Sequence, residues 1–166
     1  MKVAVIGSGA WGTALAIRLC KNGHDVTMWT FEKHLIDEMT ATRRNPRLPG
    51  AVLPENLAIS GDYACASGCK LVVMASPSFP ARSVCRGVKP YIDDDAVIVS
   101  VTKGLEDGTH MRMSEVVAQE TDSLLSRAYH GSLGLMLSAM VGSKGLKKSD
   151  IDELYAILKK AEEDAQ

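Results

Sequence analysis

The chain has 166 residues, enough for one domain with a short appendage. Its 19 Lys+Arg and 20 Asp+Glu leave a formal charge of -1, which argues against electrostatically driven binding to nucleic acid or a membrane surface. Hydrophobic residues at 46% and charged residues at 23% exclude a disordered chain, and 5% aromatic content puts the core on Val, Ile, Leu, Met and Ala.

Val3-Ala4-Val5-Ile6 is a short apolar run ended by glycine and predicts a buried parallel strand. Ala10 to Lys21 has apolar residues at helical spacing, closed by Asn22-Gly23. Asp25 to Thr30 reads as a second strand and Glu32 to Arg43 as a helix. The prolines and glycine of 45–50 make a loop, and Leu57 to Ser60 fits a short third strand. Leu71 to Ala75 predicts a central strand stopped by Pro77, Ala81 to Val88 a helix, and Ala96 to Val101 another buried strand. The pattern β-α-β-α-β-α-β-α-β fits an α/β doubly wound parallel sheet. After Glu115 no strand pattern recurs; 123–141 and 149–163 read as two helices split by Gly142-Ser143-Lys144-Gly145. Ser149 is a suitable N-cap, with Asp150 and Asp152 in the first turn.

No apolar run reaches the roughly 18–20 residues of a membrane-spanning helix. Lys2 and three early glycines suit a strand and turn better than a secretory leader. Cys20, Cys65, Cys69 and Cys85 form no disulfide framework in a chain of this length, and nothing beside Cys65 and Cys69 completes a metal set. All four read as reduced thiols of a cytoplasmic protein.

Gly7-Ser8-Gly9-Ala10-Trp11-Gly12 fits G-x-G-x-x-G directly after a strand and at the opening of a helix. In that context Gly7 serves the tight turn, Gly9 lets a pyrophosphate approach the backbone, and Gly12 lets the helix pack closely. The alternative is a glycine turn without a ligand. Where an acidic residue after the second strand would meet a ribose, Thr30 stands, followed by Phe31 and Glu32. Glu32 either accepts ribose hydroxyls or sits in a helix first turn, and Phe31 either packs on adenine or fills core. Lys33, Arg43 and Arg44 either tolerate a 2′-phosphate or form a solvated face. Lys103, at the carboxyl end of a parallel strand, either faces the ligand crevice, where a cation holds an anionic substrate or polarises a carbonyl, or is an exposed loop lysine. His110 and His130 have no evident catalytic partner and read as surface residues.

Residues 1–16, Asn22-Gly23-His24-Asp25-Val26-Thr27-Met28-Trp29, Leu48-Pro49-Gly50, Leu53-Pro54-Glu55-Asn56-Leu57, Ala75-Ser76-Pro77-Ser78 and Ser100-Val101-Thr102-Lys103-Gly104-Leu105-Glu106 closely resemble, in order, the N-terminal domain of NAD(P)-dependent glycerol-3-phosphate dehydrogenase. The resemblance implies a Rossmann domain over 1–119 binding NAD or NADP. It implies that Gly7, Ser8, Gly9, Ala10, Trp11 and Gly12 line the cofactor, with Phe31 and Glu32 at the adenosine end. It implies that Lys103 lies near the nicotinamide and touches a small phosphorylated substrate. The implied reaction is hydride transfer between sn-glycerol 3-phosphate and dihydroxyacetone phosphate, which supplies glycerophospholipid precursors.

Two departures stand out. Arg47 occupies the position before Leu-Pro-Gly where many members carry an aromatic residue. Nothing in 120–166 resembles the helical substrate domain that supplies a second, catalytic lysine and a phosphate-binding arginine; Lys144, Lys147 and Lys148 fall in a loop, and Arg127 is the one arginine of the tail. Instead, 123–133 and 151–158 resemble the C-terminal dimerisation segment of the penicillinase-repressor family, without its DNA-binding winged helix. The expectation is a cofactor domain (1–119) with a helical tail (120–166) that makes a homodimer through apolar stripes such as Leu133, Leu137 and Met140. Purified alone it should be a very weak enzyme. The competing reading is a non-catalytic dimeric binding protein, or a modulator of a repressor acting through the tail.

Overall fold

The computed structural model describes residues 1–121, and the two expected tail helices, together with His130, lie outside them. The chain divides into two compact units, Met1–Asp122 and Ser123–Gln166. In the first, β1 (Lys2–Ile6), α1 (Ala10–Lys21), β2 (Asp25–Trp29), α2 (Lys33–Thr42), β3 (Ala58–Ser60), β4 (Leu71–Met74), α3 (Ala81–Val88), β5 (Val97–Ser100) and α4 (Met113–Thr121) follow in order. The five strands form one parallel sheet in the order β3-β2-β1-β4-β5. This is the expected Rossmann-type α/β sheet.

Alternation along the central strands places side chains on two covered faces. Val3, Val5, Val26, Met28 and Val73 pack with Ala16, Leu35, Met39, Leu53 and Leu57. Ala4, Ile6, Val72 and Met74 pack on the other face with Val84, Cys85, Val88 and Val117. Coverage on both sides is why β1 reads as an unbroken apolar run. Trp29 stacks on Tyr63 with ring centroids 4.4 Å apart, so two of the few aromatics close one edge of this second layer.

Three expectations need correction. The strand at 96–101 is not buried: β5 ends the sheet order, and Val97 and Val99 are 60% and 40% exposed. An edge strand with one face uncovered keeps the apolar composition of a buried one, so composition alone misled. The β3–β4 connection contains a four-residue 3-10 turn, Tyr63–Ala66, rather than an α-helix. Helix α4 was not foreseen; it buries Met113, Val116 and Val117. The remaining elements agree with the sequence to within two residues at each end.

From β1 the chain winds outward through β2 to β3, then returns to β4 on the other side of β1. The two arms diverge at the carboxyl ends of β1 and β4, the place where open α/β sheets form a ligand crevice. All four cysteines are free, as expected. Among the described residues no helix is long and apolar enough to cross a membrane.

Candidate functional site

The crevice begins at the turn after β1. Gly7 has φ +132°, and a Cβ there would lie 2.5 Å from the Ala75 carbonyl oxygen. A Cβ on Gly12 would lie 2.2 Å from the Gly7 carbonyl oxygen and 3.1 Å from the Ala75 Cβ. Both positions therefore require glycine for contact between the turn, α1 and the β4 loop. Gly9 differs: nothing lies within 4 Å of a Cβ built there, so its backbone borders open space. It is the N-cap of α1, with no side-chain cap and no acidic residue in the first turn. The helix N-terminus thus offers its amides and positive dipole end to an anion.

Behind the turn sits a buried polar bracket that the sequence did not signal. The Asn45 amide donates to the Ser8 carbonyl oxygen at 2.9 Å and to Thr13 Oγ1 at 2.7 Å. Asn45 Oδ1 accepts from the Arg47 amide at 2.9 Å. The proline-containing loop after α2 is thereby tied to the glycine turn, and Arg47 is brought beside Ser8.

Two cavities open on either side of Gly9. The larger, about 670 Å³, runs from Gly7–Gly9 past Trp29, Thr30 and Phe31 to Arg47, with Phe79 on its rim. Phe31 and Phe79 are 73% and 91% exposed, so Phe31 is not core, and Phe79 was not singled out by sequence. Thr30 is buried. Glu32 is the N-cap of α2 and forms an ion pair with Arg47; it is not among the residues that line the cavity. Arg43 does not reach the crevice: its guanidinium donates to the Pro54 and Leu57 carbonyl oxygens, the latter at 2.9 Å. Lys33 and Arg44 do not line the cavity either.

The smaller cavity, about 400 Å³, is lined by the start of α1 with Ala10 and Trp11, by Ala75–Ser78 after β4, and by Thr102 and Lys103 after β5. Lys103 is its one cation among the described residues. Thr102 Oγ1 donates to the Ser76 carbonyl oxygen at 2.9 Å, fixing the end of β5 to the β4 loop. Ser76 and Gly9 line both cavities. Ser76 Oγ and Trp29 Nε1 are buried without a hydrogen-bond partner among the described residues. Such orphaned groups at a cleft are what a polar ligand satisfies.

Beyond Lys103, Gly104 adopts φ +112° and the chain loops back, with the Met113 amide donating to the Gly104 carbonyl oxygen at 3.1 Å. Arg82 of α3 holds this loop through a bidentate pair with Glu106, Nε to Oε1 at 2.6 Å and Nη2 to Oε2 at 2.7 Å. Arg82 also pairs with Glu120 of α4, and Arg86 reaches Glu120 at 3.0 Å. The Arg82 guanidinium holds the Glu106 carboxyl down to about 2. No local pattern flags this network, because its partners lie 24 to 38 residues apart. His110 is an exposed residue at φ +57° on the same loop, as expected for a surface histidine.

Residues 2–129 match the model of the NAD-dependent glycerol-3-phosphate dehydrogenase N-terminus. A glycerol-3-phosphate dehydrogenase [NAD(P)+] from Fusobacterium nucleatum is 42% identical over 122 residues, which are 72% of this chain and 36% of that protein. One from a Geobacter species is 46% identical over 117 residues, 69% and 35% of the two chains. The crystal structure of glycerol-3-phosphate dehydrogenase from Coxiella burnetii superposes with a TM-score of 0.65 at 38% identity, over 72% of this chain and 37% of that one. The chain spans little more than a third of the length of the curated relatives it matches.

Proposed function

The chain belongs to the NAD-dependent glycerol-3-phosphate dehydrogenase family, whose N-terminal domain it carries, and we propose that it binds NAD or NADP across the glycine turn as the cofactor half of that reaction. The reaction would be reversible hydride transfer between sn-glycerol 3-phosphate and dihydroxyacetone phosphate. The observation that carries the reading is the pair of cavities meeting at Gly9 and Ser76, with the glycine turn between them and Lys103 in the smaller one. Open space at Gly9 and the unpartnered Ser76 Oγ and Trp29 Nε1 fit a dinucleotide.

In this reading the amides at the start of α1, with Ser8 and Gly9, receive the pyrophosphate. Phe31 and Glu32 stand at the adenosine end. Ala10, Trp11 and Gly12 border the nicotinamide side. When bound, the nicotinamide supplies or accepts the hydride. Lys103 supplies positive charge toward the substrate oxygen or its phosphate. Reduction of the ketone also needs a placed proton donor and a phosphate clamp, and Lys103 cannot be both. Losing a general acid alone costs about 10²–10⁴-fold. Lys103 is the one cation of the smaller cavity among the described residues, so weak turnover is the expectation for the chain assayed by itself. Oxidation of NADH and NADPH with dihydroxyacetone phosphate, compared between the chain and Lys103→Ala, tests this. Turnover like that of an ordinary dehydrogenase, abolished in the variant, contradicts the incomplete-site account.

The division into a cofactor domain (1–119), in the cytoplasm, and a helical dimerisation tail (120–166) belongs to the same proposal. Its support is the apolar spacing of Leu133, Leu137, Met140, Ile151, Leu154 and Leu158. Light scattering at micromolar concentration should return a dimer mass; a monomer mass contradicts it. The repressor-modulator alternative gains no support from the family match, and the tail's likeness to penicillinase repressors rests on sequence alone.

A further inference from the structure

The reading above leaves NAD and NADP undistinguished, and the charges around the larger cavity separate them. Arg47 is the only charged side chain among the described residues lining that cavity. Its side chain is 43% exposed, so the guanidinium meets solvent and ligand alike. It stands between two fixed points: Nη1 lies 3.5 Å from Ser8 Oγ on the glycine turn, and Nη2 pairs with Glu32 at the N-cap of α2. Its backbone is pinned by the buried Asn45. These two points flank the mouth where the end of β2, at Trp29 and Thr30, meets the turn after β1, which is where an adenosine ribose lies in this fold.

The group that ordinarily marks preference for an unphosphorylated ribose is a carboxylate facing that mouth. Here the place at the strand end is held by the buried, uncharged Thr30. The nearby carboxylate, Glu32, is turned to Arg47 and stays off the cavity wall. A ribose diol thus meets a carboxylate already paired with a cation, whereas a 2′-phosphate meets a guanidinium whose Nη2 is shared with Glu32 and whose Nη1, only 3.5 Å from Ser8 Oγ, and Nε remain to donate charge-assisted hydrogen bonds. Resting on the cofactor reading, we propose that Arg47 is a specificity-determining residue that recognises a 2′-phosphate, so that the chain prefers NADP(H) over NAD(H). Glu32 holds the guanidinium at the mouth when no phosphate is there.

Calorimetric titration of the full chain with NADPH, NADH, 2′-phospho-ADP-ribose and ADP-ribose tests this without any turnover. The phosphorylated member of each pair should bind at least about tenfold more tightly, and the ADP-ribose pair shows that the preference resides in the adenosine half. In Arg47→Leu the two affinities should converge, while retained binding of NADH reports that the variant is folded. In Glu32→Gln the preference should persist or widen, since a competing carboxylate is gone. Equal binding of NADPH and NADH by the unaltered chain overturns the inference alone. So does a preference that survives Arg47→Leu, or a selective loss of NADH binding of about tenfold in Glu32→Gln, which would make Glu32 the ribose reader. Failure of all four ligands to bind overturns the cofactor reading and this inference with it.

Discussion

The two walls of the crevice are built by different forces. On the glycine-turn side, shape decides: a Cβ at Gly7 or Gly12 would overlap backbone, and the buried Asn45 amide ties Ser8 to Thr13. On the Lys103 side, charge decides: the chain loops back after Gly104, and the loop is retained by the largely buried Arg82, Glu106 and Glu120, with the exposed Arg86 on Glu120. Steric constraints do not respond to salt or pH, whereas ion pairs do. The wall that carries the glycine turn is therefore fixed, and the wall that carries Lys103 is adjustable by solution conditions.

The comparison breaks most visibly at Gly12. Gly12→Val should cost about 3 kcal/mol or more, because the clash is with backbone on one side and a packed Cβ on the other. A thermal-unfolding midpoint close to that of the unaltered chain would show that the turn can shift. Next comes Asn45→Ala, which strips the buried donors from Ser8 and Thr13 and should cost about 1–3 kcal/mol. Neither effect should depend on salt.

The opposite wall should answer to acid. Glu106 is held at about 2 against an ordinary 4.5, so its contribution is fully present above about pH 4.5 and is lost as pH falls toward 2. Glu120 is lowered in the same direction by Arg86 and Arg82. Hydrogen-exchange protection of the 104–113 amides should decline over that window. Glu106→Gln should lower protection already at pH 7 and flatten the decline. Protection that is independent of pH in the unaltered chain would remove charge as the organising force.

The smallest expected effect lies in the thiols. Burial pushes Cys65 and Cys85 up to about 11, so both should alkylate far more slowly at pH 7 in the native chain than in denaturant. Cys85 shares α3 with Arg82 and Arg86, whereas Cys65 lies in the turn after β3. Weakening the network by Glu106→Gln should therefore speed labelling of Cys85 more than that of Cys65. Equal acceleration at both would mean that the loosening spreads through the core layer the two thiols share rather than staying on α3.

The same contrast explains what could be read from sequence. Gly7, Gly9 and Gly12 announce themselves because their spacing is local, a strand, a turn and a helix within six residues of one another, even though the atoms that exclude a Cβ at Gly7 belong to the distant Ala75 and Ser76. The strands and α1 to α3 follow from period and punctuation. Asn45 and Arg82 gave no such signal, since each acts on residues 24 to 38 positions away and looks like any polar residue of a loop or helix face. Glu106 stood within a recognisable motif, but its partner did not. Thr30 was foreseen at the ribose position, yet the turning of Glu32 toward Arg47 depends on the Asn45 bracket. The edge position of β5 was hidden because sheet order is a long-range property that an apolar run does not encode.

The central claim is that the turn after β1 is a dinucleotide seat. Gly9 isolates it, since a Cβ there meets no protein atom within 4 Å and its φ of -65° suits any residue. Leucine at this position should fold normally and fill the space reserved for the pyrophosphate. The direct measurement is quenching of tryptophan fluorescence on titration with NADH and NADPH, because Trp29 and Trp11 line the larger and smaller cavities respectively. The account predicts saturable quenching in the unaltered chain and its loss in Gly9→Leu with an unchanged circular-dichroism spectrum. Absence of saturable quenching in the unaltered chain, or equal affinity in Gly9→Leu, would contradict it.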